Sequence, residues 1–171
     1  KVLRYGLMRN WVQALEVVTG AGEILQLNNS LIKNATGYDL RQLFIGSEGT
    51  LGFISHVTLG LTRPPLTPQL FLFGVSELEA VMKIYHAFKS KLPVLAFEMF
   101  TELALECVLA QHKELARPLA SPQNYYILVE VEGSSDDIVE GALGIFEKGL
   151  EEGWINDGIQ SQSPQQAKDL W

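Results

Sequence analysis

Cysteine is almost absent: Cys107 stands alone in a chain of 171 residues. A single thiol excludes an internal disulfide framework and fits a reducing compartment. Long apolar runs are missing too, since none approaches the roughly 18 residues of a membrane span. The opening Lys-Val-Leu-Arg-Tyr leads into no apolar signal-peptide core, so no signal peptide is expected. Basic charge is scarce, with 13 Lys+Arg against 20 Asp+Glu and a net charge of -7. That balance argues against a generic nucleic-acid binder. The usual phosphate signatures are also lacking. G-x-x-x-x-G-K-[ST] does not occur, nor does G-x-G-x-x-G after a strand, so neither a P-loop nor a Rossmann site is supported. His56, His86 and His112 are scattered, with no His, Cys or carboxylate beside them at ligand spacing. All three are read as surface or packing residues, and no metal site is expected within the chain. Cys107, in "LALECVLA", reads as a small core residue rather than a nucleophile.

What is present is globular in character, with 47% hydrophobic and 19% charged residues. Charge divides unevenly: residues 1–65 carry a net +2 and residues 66–171 a net -9. The change falls at Arg63-Pro64-Pro65, where prolines remove backbone donors and stiffen the chain. A boundary is therefore expected between 1–65 and 66–171. The chain has no initiator methionine and stops on Leu170-Trp171, which predicts an internal piece of a longer protein.

The first part reads mostly as strands. "ALEVVTGAGEILQL" is a hairpin around Gly20-Ala21-Gly22. "LIKNATGYDLRQLF" is a loop entering one short helix near Asp39–Phe44, and "GFISHVTLGL" is a strand. The second part alternates. "LFLFGV", "VLAFEMF" and "YYILVEVEG" are strands, the last with polar outward positions near its end. Residues 77–92 are helical, with Leu78, Val81, Met82, Tyr85 and Leu92 on one face. Residues 101–113 are helical, and Ser134, Ser135, Asp136 and Asp137 offer N-caps for a helix to about Glu152. Such alternation predicts an α+β unit, a ferredoxin-like sheet covered by helices on one face.

The stretch "GSEGTLGFI" (46–54) places Gly46, Gly49 and Gly52 at a spacing of three around Glu48. Glycine serves either positive φ or close approach of the backbone to something else. A turn or bulge before a strand is one reading. The other uses the whole 22-residue stretch "KNATGYDLRQLFIGSEGTLGFI", Lys33 to Ile54, with polar loops on either side of a short helix. Exposed N–H groups in such a loop can hold a carbonyl, a phosphate or a ring edge.

This stretch resembles the signature of FAD-linked oxidases and dehydrogenases of the vanillyl-alcohol-oxidase type, in particular the branch of D-lactate dehydrogenase, glycolate oxidase and D-2-hydroxyglutarate dehydrogenase. "LRYGLMRNWVQALEVVTGAGEIL", "LAFEMF" and the closing "KDLW" resemble further family landmarks. The resemblance implies that residues 1–65 are the C-terminal part of a FAD-binding domain. Residues 66–171 would begin an antiparallel, ferredoxin-like substrate domain. It implies FAD as cofactor, lying against the loop of Glu48, Gly49, Thr50, Leu51, Gly52, Phe53 and Ile54, largely through backbone groups. Glycines would let the main chain approach the flavin nucleotide, Glu48 would orient the loop or bond the sugar region, and Ile54 would offer its backbone. Phe53, where an aliphatic residue is commoner, and Ala35, where a polar one is usual, depart from the pattern.

The implied reaction moves hydride from C2 of a D-2-hydroxy acid (D-lactate, glycolate or D-2-hydroxyglutarate) to flavin N5. Catalytic residues and a divalent metal would belong to sequence outside this chain. Implied partners are the small-molecule 2-hydroxy acid, an electron acceptor (quinone, cytochrome or electron-transfer flavoprotein) and a second copy in a homodimer. The location would be cytoplasmic or membrane-peripheral, and mitochondrial in a eukaryote. Lys33, Asn34, Thr36 and Tyr38 either make turn and cap hydrogen bonds or line the flavin cleft. Arg4 and Tyr5 resemble a position near the flavin edge, or else end a strand. The acids at 130, 132, 136, 137, 140, 147, 151 and 152 read as a solvated face. Two rivals stand beside this reading: another FAD oxidase of the superfamily acting on an alcohol, sugar or ether lipid, and a non-enzymatic module with a glycine-rich loop.

Overall fold

The computed structural model describes every residue except 29–32, 34–35 and 134. Asn34, Ala35 and Ser134, singled out above, lie outside the described residues. The chain divides into two compact units, Gly6–Pro64 and Lys1–Tyr5 with Pro65–Trp171. Its first helical turn, α1 (Val2–Tyr5), belongs to the larger unit. Arg4 and Tyr5 thus sit on a helix rather than at a strand end.

The smaller unit enters through a 3-10 turn at Met8–Trp11. Strands β1 (Val12–Val18) and β2 (Ile24–Leu27) then form the expected hairpin, in the register Leu15↔Leu27 and Val17↔Leu25. Its turn is closed by Gly22 N–H donating to the Thr19 carbonyl at 2.9 Å, with Gly22 at φ +82°. One helical turn, α2 (Arg41–Phe44), precedes β3 (Phe53–Leu59), which pairs antiparallel with the free edge of β1. The order is β2-β1-β3, with ladder irregularities at Val12/Ala14 and Glu16/Val17. Alternation along β1 buries Val12, Leu15 and Val17 with Leu27, against Leu25, Phe44 and Ile45.

The larger unit is built from β4 (Gln69–Val75), α3 (Leu78–Lys91), β5 (Val94–Thr101), α4 (Glu102–Gln111), β6 (Tyr125–Val131), α5 (Asp136–Glu151), β7 (Asp157–Gln160) and α6 (Pro164–Leu170). The sheet is wholly antiparallel in the order β5-β6-β4-β7. That is the split-βαβ, ferredoxin-like order with α4 added between its second and third strands. Phe71, Phe73, Val75, Ile127, Val129 and Val131 face α3 and α5. Leu70, Leu72, Tyr126 and Leu128 point the other way, onto Leu105 of α4, Leu119, and Ala167 and Leu170 of α6. The sheet is therefore covered on both faces, not one. The physical sign is the unbroken apolar run of β4, buried from Leu70 to Val75.

Two further expectations need correction. The buried side of α3 is Ala80, Val81, Ile84 and Phe88, while Leu78 and Met82 are half exposed. The i, i+4 row 80–84–88 meets the sheet, and positions 78 and 82 lie some 200° round the helix from it. Glu130 is not solvated: it is buried, and the Lys1 ammonium reaches it as its ion partner. An unpaired carboxylate there would be strongly disfavoured. Glu132 pairs with Arg4 at 3.3 Å, so residues at both ends of the Lys1–Tyr5 segment are tied to the end of β6. On the other face, the Tyr126 hydroxyl donates to Glu102 at 2.5 Å and Arg117 lies 2.6 Å from the same carboxylate. This fastens the segment before β6 to α4.

Candidate functional site

The glycine run lies in the smaller unit, between α2 and β3. Its turns are local: Ser47 N–H donates to the Phe44 carbonyl at 3.1 Å, and Thr50 donates to the Ser47 carbonyl through N–H at 3.0 Å and Oγ1 at 2.6 Å. Gly46, Glu48 and Gly49 take φ of +85°, +51° and +80°. For Glu48 this left-handed conformation costs about 1–2 kcal/mol. Strain of this kind persists where the surroundings impose it, and it concentrates at ligand-holding loops.

The three glycines answer different needs. At Gly49 a Cβ would meet nothing within 4 Å, so the residue serves the turn and leaves bare backbone facing open space. At Gly52 a Cβ would stand 2.8 Å from Val17 Cγ1, 2.8 Å from the Val18 carbonyl oxygen and 3.4 Å from Phe44 Cε1. The close approach at Gly52 is thus to β1 of the same unit.

The loop borders a cavity of about 390 Å³ lined by Phe44, Gly46, Ser47, Glu48, Gly49, Gly52, Phe53 and Ile54. Five of the seven expected residues therefore surround one space: Glu48, Gly49, Gly52, Phe53 and Ile54. Thr50 is spent on the turn, and Leu51 is half exposed beside it. Phe53 is 72% exposed. Its lining of three glycines with Phe44, Phe53 and Ile54 is compatible with a flat, partly apolar ligand.

Sequence reasoning missed the polar tie of α2, the turn that leads into this loop. Arg41 on α2 donates through Nε and Nη2 to the two oxygens of Asp39, each at 2.8 Å. Its Nη1 donates to the carbonyls of Val12 at 2.9 Å and Gln13 at 2.5 Å. The hydrogen bond from Arg41 holds the Asp39 carboxyl below the usual carboxylate range, and Asp39 in turn raises Arg41. Nothing local signals these carbonyls, which lie 29 and 28 residues upstream.

Other expected residues fall elsewhere. Lys33, Thr36 and Tyr38 are exposed. Cys107 is exposed rather than in the core, because α4 buries only Leu105. His56 and His112 do find carboxylates, Glu16 at 2.7 Å and Glu114 at 3.0 Å, the first across neighbouring strands. Glu16 also accepts from Ser55 Oγ at 2.6 Å and Gln26 Nε2 at 2.5 Å, and the Ser55, His56 and Gln26 bonds lower its pKa. Among the described residues no group of three or more His, Cys, Asp or Glu could hold a metal ion. No described helix is long and apolar enough to cross a membrane.

Residues 67–171 match the model of the FAD linked oxidases, C-terminal domain. The whole chain is 47% identical to 37% of a D-2-hydroxyglutarate dehydrogenase from Stutzerimonas stutzeri. It is 44% identical to 36% of a protein of the same name from Xanthomonas citri pv. viticola. The chain thus spans little more than a third of these relatives' length. A solved 4-ethylphenol oxidase from Gulosibacter chungangensis shares the fold at a TM-score of 0.63 and 15% identity, over 98% of this chain and 38% of that one. With its mixed helices and antiparallel sheets and its match over most of its length, the chain belongs to the FAD-linked oxidase family.

Proposed function

We propose that this chain is the middle part of a FAD-dependent dehydrogenase that oxidises a D-2-hydroxy acid, with D-2-hydroxyglutarate favoured over D-lactate and glycolate. The observation that carries the reading is identity of 47% along the entire chain to a relative with that activity in its name. In this proposal residues 1–65 complete a FAD-binding domain and residues 66–171 begin the substrate domain. The loop Glu48–Ile54 binds FAD mainly through its main chain. FAD held there would supply the redox chemistry, as the acceptor of the substrate's hydride. The chain's own part is positional: Gly49 leaves room for the ligand, Phe53 and Ile54 give an apolar wall, and Ser47 and Thr50 keep the turn rigid. No described side chain here is placed as catalytic base, and that role and any divalent metal are assigned outside these residues. Electron transfer to a quinone, cytochrome or electron-transfer flavoprotein, a homodimer, and a cytoplasmic or (in a eukaryote) mitochondrial location complete the proposal.

The test is the polypeptide of the relatives' length that carries this sequence. It should purify with flavin absorbance, or regain it with FAD, and D-2-hydroxyglutarate should bleach the flavin anaerobically faster than D-lactate or glycolate. Bleaching only by an alcohol, a sugar or an ether lipid would move it to another branch of the family. Colourless protein that FAD cannot reconstitute would contradict the reading.

A further inference from the structure

A loop that holds a ligand through its main chain must itself be held, because each N–H is only as well placed as the backbone behind it. Two attachments to β1 do this. At the far end Gly52 seats against Val17 and the Val18 carbonyl. At the near end stands α2, whose four residues form a single turn with no side-chain N-cap bond. A helix that short has no stability of its own. Phe44 and Ile45 pack it into the small core, a contact that is not directional. Arg41 supplies the direction. Its side chain is only 18% exposed, and it reaches the carbonyls of Val12 and Gln13 where the β1–β3 ladder is irregular. Such an irregularity leaves carbonyls without ladder partners, and the Gln13 carbonyl accepts Asn28 Nδ2 at 2.9 Å as well as Arg41. The fork onto Asp39 fixes the guanidinium plane, and Asp39 Oδ1 also accepts the Arg41 backbone N–H at 3.2 Å. Charge-assisted, forked bonds of this type are the strong and directional ones.

We infer that Arg41, oriented by Asp39, is a positioning residue for cofactor binding: it sets the register of residues 46–54 on β1 without touching the cofactor. The inference rests on the reading of that loop given under Proposed function. Lysine cannot replace it, since an ammonium keeps the charge and loses the fork.

The test uses the full-length polypeptide and measures FAD affinity by reconstitution of the apoprotein, together with the melting temperature. Arg41→Lys and Arg41→Gln should each weaken FAD binding about tenfold. Asp39→Asn, which perturbs folding least, should weaken it by a smaller but measurable factor. His56→Ala, just outside the loop and paired with Glu16 on β1, should leave affinity unchanged. A purely structural role would lower the melting temperature while FAD affinity well below the transition stayed constant. The inference is overturned if Arg41→Lys and Asp39→Asn both bind FAD within about twofold of the wild type. Wild-type protein that binds no FAD would overturn the cofactor reading and this inference together, whereas wild-type binding with unaffected variants would overturn this inference alone.

Discussion

The two units treat an antiparallel sheet in opposite ways. In the larger one the central strands β4 and β6 are buried on both faces, within clusters of fourteen and six buried residues. In the smaller one the described core is four residues, and β3 is exposed along nearly all its length. Ile54, Val57 and Leu59 follow β1's buried side chains across the ladder, yet each is well exposed. The difference teaches where rigidity comes from. The larger unit is held by packing. The smaller unit, marginal at its size, leans on a few directed contacts: the polar fork of Arg41 and the close steric seat of Gly52 on β1. The unit with less core carries the candidate ligand loop.

The comparison breaks most visibly in the cores. Phe73→Ala removes a ring in contact with Phe71, Phe88 and Phe146, and should cost about 3–5 kcal/mol in denaturant unfolding. Val57→Ala on β3 should stay within about 0.5 kcal/mol. Equal losses would show that β3 is packed as tightly as β4.

A smaller effect is expected at the partly buried polar cluster of Glu102, Arg117 and Tyr126 in the larger unit. Burial pushes the Glu102 carboxyl up, but hydrogen bonds from Tyr126 and Arg117 outweigh it and hold the group below its ordinary value of 4.5. A carboxyl depressed in the folded state adds stability above its ordinary value and loses it as pH falls through the depressed range. Tyr126→Phe should cost about 2 kcal/mol near neutrality. Its difference from wild type should shrink as the pH drops below 4.5, in urea melts taken across that range. A constant difference would mean that the hydroxyl acts through its other contacts, such as the N–H it accepts from Gln123 at 3.1 Å, and not through Glu102.

Within the loop, Gly52→Ala forces a methyl into Val17 and the Val18 carbonyl and should cost about 1.5 kcal/mol. Gly49→Ala meets open space and bears only the left-handed backbone, about 1 kcal/mol. The sharper separation is in FAD binding. Gly49→Val should weaken affinity more than it lowers stability, and Gly52→Ala the reverse. The smallest effect belongs to His56→Ala, whose exposed pair with Glu16 should leave the melting temperature unchanged within error.

Much of this fold was legible because it is written in local periodicity. The hairpin at Gly20–Gly22, the strand at 69–75 and the helices at 78–91 and 136–151 each announce themselves by spacing and turn residues. β7 and α6 did not. "DGIQ" is too short and polar to alternate, and α6 shows itself only through Ser163, which accepts Gln166 N–H ahead of Pro164. The second cover of the sheet was readable in principle from the unbroken apolar run of β4. At the loop, the turn-forming role of Gly46 and Gly49 follows from type and spacing, whereas Gly52's reason is a contact with β1, 34 residues upstream, and Arg41's reason is a pair of carbonyls on the same strand. Contacts across such separations leave no local trace. Cys107 and Glu130 were misjudged for the same reason, since burial on a half-covered helix or beside a terminal lysine depends on what packs there.

The central claim is that residues 46–54 lie against FAD. Hydrogen exchange of the full-length polypeptide, with and without FAD, tests it most directly. Slowed exchange at Glu48–Ile54 on adding FAD, with β4 and β6 unchanged, is the result expected from a loop that binds through its main chain. FAD that binds and protects other segments while the amides of Glu48–Ile54 exchange at their free rate would contradict it.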